Sequence, residues 1–156
     1  MIEMPAAFYL VALGLTHAEV LAVLHAESFS DGWSAASFDT TLRMPGAYGF
    51  MAVRHGDDEP LGFALFRAGG GEAEVLTVAT RPFARGQGIA SALMTQGLSL
   101  AKDLGAETMF LEVAADNASA LRLYQALGFV QTGQRKGYYA RAEGPPVDAL
   151  VMARTN

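Results

Sequence analysis

The clearest chemistry in this chain lies in a short run, Arg85-Gly86-Gln87-Gly88-Ile89-Ala90, continued by Ser91. The run sits inside Glu74 to Met94, which reads as a strand, a turn rich in Arg and Gly, and a helix. Small residues there let main chain approach a bound group closely. The helix that follows opens with N–H donors that no earlier turn can satisfy, and with the positive end of its dipole. Together they make a seat for a phosphate or diphosphate, which points to a nucleotide-like cofactor. The spacing is neither the G-x-G-x-x-G of a dinucleotide fold nor a Walker loop, since no Lys-Ser or Lys-Thr follows the glycine. The alternative reading is a tight strand-to-helix connection with no ligand.

Composition narrows the partners. A chain of 156 residues, 51% hydrophobic and 17% charged, predicts one folded domain over 1–156. The net charge of −5 argues against nucleic acid, which needs a surplus of Lys and Arg. The chain has no cysteine, which removes disulfides, thiolate metal sites and a cysteine nucleophile together. His17, His25 and His55 are scattered without ligand spacing. They read as surface or helix residues, and no metal is expected. No run approaches the roughly 20 apolar residues of a membrane span. The opening MIEMPAAFYLVALG lacks a basic leader, so a cytoplasmic location is the expectation by default.

The elements that must position the loop follow from pattern. Phe8 to Leu13 reads as a strand, and Thr16-His17-Ala18-Glu19 has capping-box spacing for a helix to about Phe29. Ser30 to Trp33 is a turn, with Trp33 a packed loop anchor. Ser34 caps a second helix to about Met44. Tyr48–Arg54, Leu61–Arg67 and Glu74–Thr80 form a meander of hairpins, joined through His55–Pro60 and Gly69–Gly71. Ala90–Leu104 is a helix with Ile89, Leu93, Leu100 and Leu104 near one face and Gly105 as its stop. Thr108–Val113 is a strand, and Asn117–Leu127 a helix closed by Gly128. Phe129–Gln131, Gly137–Arg141 and Val147–Ala153 read as final strands. The whole is a mixed α/β chain with an antiparallel meander in front.

Three pieces then occur in order: R-x-x-G-x-A at Arg85–Ala90, N-A-S-A-L-R-L-Y at Asn117–Tyr124, and L-G-F at Leu127–Phe129. With these the chain resembles the GNAT superfamily of acyl-CoA-dependent N-acetyltransferases. Further pieces resemble the RimI-type group within it, which acetylates the N-terminal alanine of a ribosomal protein. They are E-A-E-V-L-T-V-A at Glu72–Ala79, L-E-V-A-A-D-N-A-S-A at Leu111–Ala120, R-K-G-Y-Y-A at Arg135–Ala140, D-A-L-V-M at Asp148–Met152, and His25–Phe29 with Trp33 at the front. The chain departs from that group at Gly32, where Pro is usual, and at Ala90, where Gly is commoner.

The resemblance implies a mostly antiparallel, twisted sheet of about seven strands flanked by about four helices and splayed in the middle. It implies acetyl-CoA as co-substrate and a primary amine as acceptor, with Gly86 to Ser91 on the diphosphate. A main-chain N–H near Val78 would polarise the thioester carbonyl, with Thr77 and Ala79 along the pantetheine. Glu112 is the matching base, Tyr124 the matching acid, and Asn117 a partner of the cofactor arm. Trp33, Glu74, Tyr138 and Tyr139 fall on the acceptor side, and Glu74 is the rival base, acting through water. Each has a plainer use: Glu112 as a solvated strand-end carboxylate, Tyr124 as a core aromatic beside Leu121 and Leu127, Asn117 as a helix cap, and Tyr138 and Tyr139 as a strand with two aromatic faces.

Amine chemistry favours a protein N-terminus. Freeing an α-amine at neutral pH costs roughly 1 kcal/mol and freeing a lysine roughly 4 to 5 kcal/mol, so one carboxylate is adequate for the former. A basic ribosomal protein tail would also be drawn to an acidic enzyme. A small-molecule amine acceptor, and a module that senses acetyl-CoA without turnover, are the other readings. The enzyme is expected to be a monomer or weak dimer.

Overall fold

The computed structural model describes residues 7–156. Part of the reading of a missing basic leader falls on residues 1–6, outside that range. The elements are β1 (Phe8–Ala12), α1 (Ala18–Ala26), α2 (Ala35–Leu42), β2 (Ala47–Arg54), β3 (Pro60–Gly69), β4 (Glu72–Thr80), α3 (Ile89–Asp103), β5 (Thr108–Ala114), α4 (Ala118–Ala126), β6 (Val130–Tyr139) and β7 (Val147–Thr155). Their strands form one seven-stranded sheet in the order β1-β2-β3-β4-β5-β7-β6. Only β4 and β5 pair in parallel, through Glu72, Ala73 and Glu74 opposite Thr108, Met109 and Phe110. Val75–Thr80 lie past the end of that ladder. This is the mixed, mostly antiparallel architecture anticipated from sequence.

The chain divides into two compact units. The first holds residues up to Arg67 together with Leu76–Gly97. Its core is built from Leu21 and Leu24 of α1, Phe38 of α2, Met51 and Val53 of β2, and Phe63 and Leu65 of β3. Period-two alternation on β2 and β3 and helical spacing on α1 put these apolar groups on facing sides. Phe38 is fully enclosed, and a buried aromatic of that size cut to Ala costs about 3–5 kcal/mol. The Tyr48 and Phe66 rings stack at 5.1 Å, and the Tyr48 hydroxyl donates to the Gly97 carbonyl at 2.8 Å.

The second unit holds Ala68–Val75 and Leu98–Asn156. β7 lies between β5 and β6, antiparallel to both. Met109, Leu111, Val113, Tyr124, Phe129 and Met152 are buried there. The last carbonyls of α4 need partners. Arg154 Nε supplies one by donating to the Leu127 carbonyl at 2.8 Å.

Several local expectations are corrected. The Thr16–Glu19 capping box does not form: a 3-10 turn spans Leu15–His17, and His17 Nδ1 accepts the Gly14 N–H at 2.9 Å. The first helix is therefore Ala18–Ala26 and stops short of Phe29. Leu104 is exposed, and α3 instead buries Ile89, Leu93, Met94, Leu98 and Ala101. Phe129–Gln131 and Gly137–Arg141 are not two strands. Val130–Tyr139 runs as one, its pairing with β7 shifted between Arg135 and Tyr139.

His25 is a helix residue but not a surface one. It is 3% exposed, in contact with the rings of Phe29, Trp33, Phe38 and Phe63. Its Nδ1 accepts the main-chain N–H of Trp33 at 3.1 Å, so the neutral ring carries its proton on Nε2. Burial holds the imidazole below its usual 6.5. The unfolded chain then takes up a proton first as pH falls, so this stability is complete above about 6.5 and is lost as pH drops toward the lowered folded value. His25→Gln is expected to flatten the decline of Tm between about pH 6.5 and 5 relative to the wild type. An unchanged slope would show that this ring does not titrate with folding.

Candidate functional site

In the first unit the loop between β4 and α3 is shaped by its two glycines. Gly86 has φ 77° and Gly88 has φ 80°, both left-handed, and a Cβ at either would meet no atom within 4 Å. Conformation rather than crowding therefore selects glycine, and the space beside the main chain stays open. Arg85 to Gly88 are exposed, while Ala84 before them and Ile89 after them are buried and pin both ends. The first hydrogen bond of α3 runs from Ala92 N–H to the Gly88 carbonyl at 3.0 Å. Among the described residues, Arg85 and Gly86 form a hydrogen-bonded turn that the Gln87 N–H closes, and no main-chain N–H of Gly86 or of Gly88 to Ser91 finds a protein acceptor. Free donors clustered at a helix start are what a diphosphate requires, so the residues present fit that group.

The foot of the loop is clamped. The Arg81 N–H donates to the Leu61 carbonyl at 2.9 Å. The side chains of Thr77 and Ala79 are buried, and that of Ala79 belongs to the core around Leu21 and Phe63. Arg85 is not free in solvent: its Nε donates to the Thr80 carbonyl and its Nη2 to Ser28 Oγ, each at 3.3 Å. Trp33, half-buried, packs against the core and hangs on His25 through its N–H.

In the second unit, alternation on β5 buries Leu111 and Val113 and turns Glu112 outward. Its carboxylate meets Arg135 Nη2 of β6 at 3.0 Å. The same guanidinium lies over the Tyr138 ring, 5.3 Å from its centre, and Tyr138 and Tyr139 meet edge to face at 5.1 Å. Burial raises the Tyr139 phenol above its usual value, and the Glu112 charge pushes it the same way. Arg141, 5.9 Å from the Tyr139 ring centre, pairs with Asp116 at 2.8 Å.

Tyr124 of α4 is 9% exposed and packs edge to face on Phe129. Its hydroxyl makes no hydrogen bond among the described residues. No buried side-chain oxygen or nitrogen there lacks a partner, so this hydroxyl opens to solvent. Burial, with a further push from Tyr139, raises its pKa to about 12. Asn117 is the cap of α4: its Oδ1 accepts the Ala120 N–H at 3.2 Å and the Ser119 hydroxyl at 3.3 Å, leaving Nδ2 available. Glu74 is exposed on β4 opposite Phe110. Among the described residues, no three His, Asp or Glu side chains gather to hold a metal.

Residues 18–129, well over half the chain, match the acetyltransferase (GNAT) family. The chain belongs to that family. A GNAT relative, the [ribosomal protein bS18]-alanine N-acetyltransferase of Salmonella typhimurium, is 34% identical over 97 residues. Those residues cover 62% of this chain and 65% of that enzyme, just under two thirds of its length. The N-alpha-acetyltransferase RimI of Mycobacterium tuberculosis is 34% identical over 149 residues, 92% of this chain and 89% of that protein. The crystal structure of the ribosomal-protein-S18-alanine N-acetyltransferase from Escherichia coli superimposes with a TM-score of 0.86 at 26% identity, covering 95% of this chain and 93% of that one.

Neither the Glu112–Arg135 pair nor the Arg81 clamp was legible beforehand. The first joins two strands, and the second, in which Arg81 also contacts Glu27, joins residues 54 apart in sequence, so no local spacing announces them. For the GNAT loop, Gly86→Ala adds about 1–2 kcal/mol of left-handed strain. The chain relieves it by turning the neighbouring peptides away. Coenzyme A, titrated by calorimetry, is expected to bind about tenfold more weakly than to the wild type; equal affinity would mean that these donors do not hold it.

Proposed function

We propose that this chain acts as one N-acyltransferase domain over residues 1–156, moving an acetyl group from acetyl-CoA to a primary amine. The acceptor we infer is the N-terminal α-amine of a protein, with a ribosomal protein such as those named for the Salmonella and E. coli relatives as the leading case. The cluster of unpaired donors at Gly86 and Gly88 to Ser91 is the observation that carries the reading. Bound acetyl-CoA supplies an acetyl group activated as a thioester.

Transfer is direct, with both substrates bound. Main-chain N–H groups of the glycine loop hold the diphosphate, and Asn117 Nδ2 donates to the cofactor arm. The Val78 N–H is aimed at the thioester oxygen, where negative charge grows. Glu112 takes the ammonium proton of the acceptor, whose α-amine titrates near 8 and so loses it at little cost. Arg135 holds the carboxylate turned outward until the acceptor arrives. Tyr124, held near 12, keeps its proton throughout the neutral range and gives it toward the leaving sulfur. A thiol of ordinary pKa lies roughly 3 to 4 units lower, which makes complete transfer at the outset cost about 5 kcal/mol. The phenol therefore begins as a hydrogen-bond donor to the growing thiolate. Trp33, Tyr138 and Tyr139 flank the acceptor, and Glu74 is the base if Glu112 proves dispensable.

A small-molecule amine as acceptor, and acetyl-CoA sensing without turnover, are the competing readings. Acetyl transfer to short peptides differing only in their first residues, with polyamines and aminoglycosides alongside, separates them. Preference for alanine-led peptides supports the proposal, whereas preference for a free amine, or no turnover, refutes it. Tyr124→Phe is expected to cut turnover at least tenfold with acetyl-CoA affinity near that of the wild type; undiminished turnover removes its role. Glu112→Gln should flatten the pH–rate profile on the side where the base ionises, and a wild-type profile would hand the role to Glu74 or solvent.

A further inference from the structure

Arg81 stands at the foot of the glycine loop, and three elements converge on its guanidinium. Nε lies 2.9 Å from Glu27 Oε2, just past α1, and Nη1 lies 2.6 Å from Glu59 Oε1 at the start of the β3 hairpin arm. Nη1 also donates to the Pro60 carbonyl at 3.3 Å, and the group sits 4.7 Å from the centre of the Phe83 ring. Its side chain is 21% exposed, so these bonds are shielded more than those of a surface pair. The Arg81 carbonyl accepts from Ala84, so the same residue starts the 3-10 turn leading into the loop.

A second strap runs parallel. Ser28 Oγ donates to the Thr80 carbonyl at 3.4 Å and accepts from Arg85 at 3.3 Å. Ser28 N–H in turn donates to the His25 carbonyl, and His25 Nδ1 holds the Trp33 N–H. An unbroken path of hydrogen bonds thus leads from the loop root to Trp33, all within the first unit.

We propose that Arg81 is a positioning residue that joins the diphosphate loop to the Glu27–Trp33 turn, so that occupancy of one raises affinity at the other. This rests on the functional reading above, in which the loop takes coenzyme A and Trp33 faces the acceptor. A guanidinium suits the task because its planar fork reaches two carboxylates and a carbonyl at fixed angles, which a lysine ammonium cannot reproduce. Removing it also takes away the guanidinium that both Glu27 and Glu59 contact, leaving Arg54 as the remaining cation near Glu59.

Calorimetry of coenzyme A, with and without a saturating alanine-led peptide, reads the linkage directly. The wild type is expected to bind coenzyme A at least fivefold more tightly when peptide is present, the lower end of ordinary coupling. In Arg81→Gln the ratio is expected to fall to about one, and in Arg81→Lys to lie between. Adding Glu27→Gln to Arg81→Gln removes a carboxylate left without that guanidinium and should restore Tm while the ratio stays near one, an outcome a purely structural role would not produce. A wild-type ratio near one, or a ratio unaltered in folded Arg81→Gln, overturns the linkage alone. Failure of coenzyme A to bind the wild type at all overturns the functional reading with it.

Discussion

The first unit is organised around one constraint: among the described residues, main-chain donors of the glycine loop and the start of α3, Gly86 and Gly88 to Ser91, stand without protein partners and still keep their direction. Unpaired N–H groups are tolerated only where water or a ligand reaches them, and the loop is exposed for that reason. Direction comes from the two left-handed glycines, and rigidity from what flanks them. Ala84 and Ile89 are buried on either side, and Arg81 and Arg85 tie the strand end to the turn after α1. The fold spends its strongest side-chain contacts on the root of the loop and leaves its rim bare. This division suits a site that binds through main chain.

The second unit solves a different problem, that of keeping polar groups available without losing them to water. Glu112 would be an ordinary solvated carboxylate if strand alternation were the only influence on it. Arg135 draws it toward the end of β6, where Tyr138 and Tyr139 lie, and Asp116 and Arg141 fasten the following segment. Tyr124 has its ring in the core, burial raises its pKa, and its hydroxyl makes no hydrogen bond among the described residues. A phenol locked in a side-chain network would be a poorer donor to an incoming atom, because its own hydrogen bond would have to break first.

What could be read from sequence was what is decided within a few residues. Ser34 and Asn117 cap their helices as their types predict, and Ser34 Oγ accepts the Ser37 N–H at 3.1 Å. The meander of β2, β3 and β4 followed from alternation and turn residues, and the glycine loop from its position between a strand and a helix. Failures came where distant residues decide. One histidine on a helix carries no pattern, so sequence does not separate a surface His25 from the one that anchors Trp33 inside a ring of aromatics. The Thr16 box lost to a histidine ring that the capping rules do not include. Leu104 follows the helical period but lies one residue past the end of α3, in the turn beyond the core that would have covered it.

The account stands on main-chain donors gripping a diphosphate, and amide resonances report that contact one N–H at a time. Titrating the labelled protein with coenzyme A should move the amide signals of Gly86 to Ser91 first and furthest. Signals from those residues that stay in place at saturating coenzyme A, while others shift, would contradict it.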